Sequence, residues 1–203
     1  GGSVLGLDPS ASMLDVGRDK VTRRGHDGTV ELRIGDARDL QELDAGAFDA
    51  VTMAFGIRNV PERDAVLCEA HRLLRRSRGG DDDRSGRLAI LEFSEPDSST
   101  FMGRAAGIFI RHVVPRVGAV LSGKPAEYMH LQNSIKYFPS PAEFVALMEE
   151  GVRCEVNETG SEGRGENRGE YYGAFRLEKL VQLNFGSVQL YIATPVIKEA
   201  LQM

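Results

Sequence analysis

Four short apolar runs, each ending in an acid, a glycine or a polar cluster, alternate with segments of helical periodicity and restrict this chain to few folds. Val4 to Leu7 stops at Asp8, and Val30 to Ile34 stops at Gly35-Asp36. Phe48 to Ala54 runs into Phe55-Gly56-Ile57-Arg58-Asn59, and Leu88 to Phe93 runs into Ser94-Glu95. Ser10 is placed to cap a helix over Ala11 to Arg24, with Met13, Leu14, Gly17 and Val21 on its inner face. A second helix over Pro61 to Arg76 puts Val66, Leu67, Ala70, Leu73 and Leu74 on one side. Strand and helix in alternation argue for βαβ units, and runs without strict alternation suit parallel strands covered on both faces. The C-terminal part differs. Ala174 to Val196 reads as two strands with Asn184 to Ser187 between them, an antiparallel hairpin at a sheet edge. The expected class is α/β with a mostly parallel sheet, in a single domain over residues 1–203.

Composition excludes several functions. With 203 residues, 41% hydrophobic and 27% charged, the chain has the make-up of an ordinary globular domain with a sizeable core. A net charge of −5 gives no electrostatic basis for binding nucleic acid. Two cysteines, Cys68 and Cys154, make no disulfide framework and suggest a reducing compartment. Residues 105–121 form the longest apolar stretch, but Arg111, His112, Pro115 and Arg116 interrupt it, which argues against a membrane span and for an apolar surface or groove. The Gly- and charge-rich stretches 76–86 and 157–173 read as mobile loops, the second within an insertion over about 151–174.

In open parallel sheets ligands bind outside the carboxyl ends of the strands. An acid there, such as Asp8, can accept hydrogen bonds from vicinal ribose hydroxyls. An acid followed by a small residue, as in Asp36-Ala37, can hold an adenine amino group and leave space for the ring. Each acid has an equal claim to a plain capping or turn role. Glu92 at the end of its strand reads equally as pocket-facing or as a structural hydrogen-bond partner. Cys68 and His71 have the i, i+3 spacing of a metal pair, but no second pair accompanies them, so a buried thiol beside a surface imidazole is the favoured reading. His112 and His130 read as packing or surface residues in preference to bases. Tyr128, Met129 and Tyr137 read as core.

The strings "GLDPSASMLDVGRDK", "GDARDL", "FDAVTMAFGIRNV", "LAILEFSEP" and "YMHLQNSIKYFPSPAEFVALMEE" resemble, in order and spacing, the ubiquinone/menaquinone biosynthesis C-methyltransferase family. The resemblance covers about residues 4 to 150 and resumes over 175 to 194. It implies a Rossmann-like fold using S-adenosylmethionine, no metal, and methylation of a ring carbon on a polyprenylated benzoquinol or, for menaquinone, a naphthoquinol. It implies that Asp8 is the ribose acid, that Asp36 and Ala37 lie on the adenine side, and that Ala54 and Phe55 lie beside the cofactor. Arg58, with Asn59 as a second donor, would hold a water and stabilise phenolate charge on the ring, because a guanidinium is too basic to act as a base near neutral pH. Otherwise Arg58 pairs with an acid such as Glu62 or Glu95 and braces the loop. Gly56 is expected to make the sharp turn.

Family members carry a strand and a glycine-rich loop before the position of Asp8. Their absence here implies N-terminal truncation, a gap or altered pairing between strands 4–7 and 48–54, and weak cofactor binding by these residues alone. A non-catalytic scaffold of the same fold is the alternative of a different class. The expanded loops favour an organellar homologue. The resemblance therefore implies peripheral placement on the matrix side of the mitochondrial inner membrane, within a quinone-biosynthesis complex and with homodimerisation open. Phe101 to Leu121 is expected to line a channel for the prenyl tail.

Overall fold

The structure, a computed structural model, describes residues 1–75, 85–95, 101–108, 134–157 and 168–198. Strand β1 (Val4–Asp8) pairs in parallel with β2 (Val30–Ile34), Val4 opposite Val30 and Asp8 opposite Ile34. Helix α1 (Ala11–Arg23) connects them and begins where the Ser10 hydroxyl accepts the Met13 amide at 3.4 Å. Leu32 of β2 is wedged against two glycines: a Cβ at Gly6 would lie 2.6 Å from it and one at Gly17 2.8 Å. Those glycines let α1 close on the ribbon. Leu14 is buried, but Met13, expected to face inward, is exposed. Two strands offer too narrow an apolar face to cover that side of the helix.

The second sheet has the order β3-β4-β7-β6-β5. Strand β3 (Ala50–Ala54) lies parallel to β4 (Arg87–Phe93), and β7 (Val188–Lys198) runs antiparallel to β4. Strand β6 (Arg168–Leu183) and β7 form the expected hairpin around a 3-10 turn at Asn184–Gly186, but within the sheet and not at its edge, because another strand pairs outside β6. Strand β5 (Val152–Asn157) then adds antiparallel to β6. The second sheet is therefore mixed, parallel between β3 and β4 and antiparallel where the C-terminal strands return. The interval 151–174 is not one loop. Its ends are strands, because valine before 158 and tyrosine after 168 favour extended backbone although glycine and glutamate dominate the local composition. The stretches 76–84 and 158–167 lie outside the described residues. As expected, β1 and β3 are not neighbours; they belong to different sheets.

Helix α2 (Arg63–Leu73) presents Val66, Leu67, Ala70 and Leu73 to the core, the face that its periodicity marks. Helix α3 (Phe101–Ile108) packs near the turn at Asn184–Gly186. Helix α4 (Pro141–Glu150) starts in a reciprocal cap: Ser140 accepts the Glu143 amide at 3.4 Å and Glu143 accepts the Ser140 amide at 2.8 Å. Such a cap contributes about 1 kcal/mol. Phe144 and Met148 of α4 meet Leu67, Ile90, Phe175 and Tyr191 in one cluster. Each large side chain buried there contributes about 1.5–3 kcal/mol.

Three expectations change in this core. Tyr137 is exposed, and its neighbour Phe138 takes the core position against Phe144, ring centroids 5.1 Å apart. His71 is fully buried, not a surface imidazole; its Nε2 lies 2.9 Å from the Val196 carbonyl and its ring meets Phe175 edge-on. Cys68 is joined to Cys154 by a disulfide, with Cα atoms 5.5 Å apart, because α2 lies across β5. Sequence separation gives no hint of that meeting. Among the described residues no helix is long and apolar enough to cross a membrane.

Candidate functional site

The carboxyl ends of the parallel strands carry the residues singled out from the sequence. Asp8 closes β1 half-buried, and its Oδ1 accepts the Ser10 amide at 2.8 Å. The capping interaction is therefore present, and it occupies one carboxylate oxygen. The other has no hydrogen-bond partner among the described residues, so Asp8 retains an acceptor for a sugar hydroxyl. Asp36, two residues after β2, accepts the Arg38 amide at 3.0 Å and its guanidinium at 2.7 Å. These bonds hold its carboxyl down at about 2, so Asp36 is an anion throughout the neutral range. Arg38 also reaches Glu62 at 2.7 Å. The side chains involved are largely solvated, so these pairs set geometry more than stability. Ala37 packs against the core, which leaves the outer side of the loop to Asp36.

The tip of β3 is built differently from expectation. Gly56 is in the right-handed region at φ −108°, whereas Phe55 carries the positive φ, 57°. A left-handed phenylalanine costs roughly 1–2 kcal/mol and needs to be held. Its amide donates to the Leu91 carbonyl at 2.8 Å, its carbonyl accepts from Arg58 Nη1 at 2.7 Å, and its ring stacks on Phe93 at 4.6 Å. Glycine at 56 has a steric reason instead: a Cβ would come within 3.3 Å of Met53. Ala54 and Asn59 are exposed, and Phe55 is partly so. The strained turn therefore presents an open surface at the strand ends.

Arg58 turns back under this surface. Its Nη1 donates to Glu92 Oε1 at 2.6 Å, its backbone amide donates to Oε2 at 3.2 Å, and its Nε donates to Ser134 at 3.3 Å. The guanidinium lies 5.2 Å from the centroid of the Phe93 ring. Side-chain exposure is 9% for Arg58 and 0% for Glu92, so this is a buried ion pair. Removing one partner of such a pair costs about 3–5 kcal/mol. The acid differs from those considered in the sequence: Glu62 is taken by Arg38, and the acid on Arg58 is Glu92. Ser94, Gln189 and Tyr191 continue the buried polar set. Gln189 Nε2 donates to Ser94 Oγ at 3.1 Å and to the Gly186 carbonyl at 2.9 Å. Among the described residues, the Tyr191 hydroxyl has no partner.

Sequence reasoning missed Ser134 and Phe93 as partners of Arg58. The only signal was that "LEFS" and "NSIKYF" belong to the distinctive strings, and neither string states a contact. His112, His130, Tyr128 and Met129 lie outside the described residues. Of the apolar stretch 101–121, Phe101 and Ile108 are described and exposed, and Phe185 on the neighbouring turn is exposed as well.

A model of the ubiE/COQ5 methyltransferase family matches residues 1–159. The ubiquinone/menaquinone biosynthesis C-methyltransferase UbiE of Rhodopseudomonas palustris (strain HaA2) is 39% identical over 150 residues, 74% of this chain and 55% of that protein. The protein of the same name from Rhizobium meliloti (strain 1021) is 34% identical over 157 residues, 77% of this chain and 57% of its own. The chain thus spans about half the length of the curated relatives it matches. Among solved structures, a geranyl diphosphate methyltransferase in complex with SAM superposes over 97% of this chain and 70% of its own with a TM-score of 0.55 at 16% identity. A SAM-dependent methyltransferase from Aquifex aeolicus superposes over 96% and 70% with a TM-score of 0.53 at 16% identity. The fold is that of these methyltransferases.

Proposed function

The chain belongs to the ubiE/COQ5 methyltransferase family, and from that premise we propose that it serves S-adenosylmethionine-dependent C-methylation of a polyprenylated benzoquinol ring in ubiquinone biosynthesis. The observation that carries this reading is the placement of acids, a strained turn and a buried arginine at the carboxyl ends of parallel strands, where this fold binds ligands. The names of the curated relatives cover menaquinone as well, so demethylmenaquinol is the competing substrate.

When bound, S-adenosylmethionine supplies a methyl group activated by its sulfonium sulfur. The residues fit it: Asp8 has a free carboxylate oxygen for the ribose, Asp36 is an anion beside the small Ala37 for the adenine side, and Ala54 and Phe55 are exposed at the carboxyl end of β3. On the ring side, two N–H groups on Nη2 of Arg58 have no partner among the described residues. They can hold a water against the quinol oxygen and favour phenolate charge there, which makes the neighbouring ring carbon nucleophilic. Asn59 is the second donor. The exposed Phe101, Ile108 and Phe185 supply apolar surface for the prenyl tail and for peripheral contact with a membrane. Placement on the matrix face of the mitochondrial inner membrane, in a quinone-biosynthesis complex, completes the proposal.

The test uses the intact protein, a labelled methyl donor, and short-chain benzoquinol and naphthoquinol acceptors. Arg58→Ala is expected to lower turnover on the benzoquinol at least about tenfold with cofactor affinity nearly unchanged, and Arg58→Lys to recover little. Near-normal turnover in Arg58→Ala, with reduced thermal stability, would make Arg58 a loop brace. Preference for the naphthoquinol would transfer the enzyme to menaquinone synthesis. Failure to methylate either ring, with the cofactor bound, would leave a scaffold.

A further inference from the structure

We propose that Glu92 is the positioning residue of the ring site: it sets the guanidinium of Arg58 so that Nη2 alone is left to act. This rests on the function proposed above for Arg58. A guanidinium has five N–H donors in a planar fork. Three are committed, to Glu92 Oε1 at 2.6 Å, the Phe55 carbonyl at 2.7 Å and Ser134 Oγ at 3.3 Å. Both donors on Nη2 remain without a partner among the described residues. The face of the fork is set by the Phe93 ring, 5.2 Å from its carbon.

Glu92 is suited to this because it fixes more than the side chain. Its Oε2 accepts the backbone amide of Arg58 at 3.2 Å, and its Oε1 accepts the amide of Phe93 at 2.8 Å. One carboxylate therefore locks the Arg58 backbone, the guanidinium and the strand end. It also sits on the sheet, as the penultimate residue of β4 opposite Gln189, not on a loop. Stability does not call for such a group. A buried ion pair is often no better than a well-packed apolar pair of the same volume, so its more specific yield is a single conformation. That conformation is the one in which the strained Phe55 carbonyl also reaches Arg58.

The test compares Glu92→Asp and Glu92→Gln with the parent in the intact protein. Glu92→Asp keeps the charge that offsets Arg58 and so guards against simple unfolding, but retracts the carboxylate by one methylene. A misplacement of about 1 Å at a catalytic group can cost on the order of 100-fold. The expected result is a 10- to 100-fold fall in kcat for Glu92→Asp, with cofactor affinity and KM for the quinol close to the parent. Combining it with Arg58→Ala should slow the enzyme no further than Arg58→Ala alone. Nitrogen NMR of the arginine side chains gives a readout independent of turnover: the Arg58 Nε–H should be a sharp, slowly exchanging signal in the parent and broaden in both variants. An unchanged Arg58 signal in both variants overturns the proposal, and so does parent-like kcat in Glu92→Asp when Arg58→Ala is slow. A held Arg58 signal that depends on Glu92, in a protein that methylates no quinol, would sustain the positioning and refute the function assigned to the site.

Discussion

Arg38 grips the Asp36 carboxylate through its amide and its guanidinium, 3.0 and 2.7 Å away, and carries the same guanidinium on to Glu62 at 2.7 Å. The acid proposed for the adenine side of the cofactor is thus already engaged, and a nucleoside bound there would have to share it or displace Arg38.

The charge state of Asp36 follows from that grip. Its pKa is lowered from 3.8 to about 2, chiefly by the side-chain bonds from Arg38. For a depressed carboxylate the stabilisation is complete above the unfolded value and disappears as pH falls through the folded one, here between about 4 and 2. Carbon NMR of the aspartates should show one midpoint near 2, and Arg38→Ala should move it upward. A midpoint that does not move in Arg38→Ala would dissociate the two groups in solution.

Under the proposed function, Asp8 and Asp36 should separate nucleoside binding from ring binding. Loss of a hydrogen bond to a charged acceptor costs about 1.5–3 kcal/mol, which is about 10- to 100-fold in affinity. In the intact protein, calorimetry should show Asp8→Ala and Asp36→Ala weakening the cofactor by that amount, with quinol affinity little affected. Normal cofactor affinity in either variant would reduce that acid to its turn-capping bond.

The disulfide between Cys68 and Cys154 closes a loop with a sequence separation of 86 and ties α2 to β5. Constraining the unfolded chain in this way is worth roughly 2–4 kcal/mol. Mass spectrometry under alkylating, non-reducing conditions should find neither thiol modified, and both after reduction. Thermal unfolding should fall on reduction in the parent but not in Cys154→Ser. Free thiols in freshly prepared protein would support instead the reducing environment that the cysteine content suggests.

Tyr191 is 1% exposed and its phenol is pushed up to about 12, first by burial and then by the charge of Glu92. The neutral phenol is favoured in the fold, so its contribution is complete below pH 10 and disappears between about pH 10 and 12. Its hydroxyl has no hydrogen-bond partner among the described residues, so Tyr191→Phe should be neutral or stabilising by up to about 1 kcal/mol at neutral pH. It should also flatten the loss of stability at alkaline pH. Destabilisation by 2 kcal/mol or more would reveal a partner for the hydroxyl.

Much of this was legible in one dimension because it rests on local physics. Apolar runs of four to eight residues, a serine before a helical pattern and the spacing of Val66, Leu67 and Ala70 report strands, caps and buried faces directly. The acids at strand ends follow from the same reading, since their place in a βαβ unit is set by connectivity. The resemblance of whole strings then supplied the roles proposed for the strand-end acids and for Arg58. Composition misled where a few strand-forming residues were diluted by glycine and glutamate, as at the ends of the interval 151–174.

Tertiary structure decided everything that depends on which distant residues meet. That Glu92 and not Glu62 pairs with Arg58, that Ser134 lies under the same guanidinium, and that Cys68 finds Cys154 are consequences of how α2, β4 and β5 cross. The left-handed turn at Phe55 belongs there too. Local preference assigns such a turn to Gly56, but the carbonyl of Leu91, the ring of Phe93 and the guanidinium of Arg58 together hold it one residue earlier. A local cost of roughly 1–2 kcal/mol is outweighed there by several long-range contacts, and no window of sequence contains them.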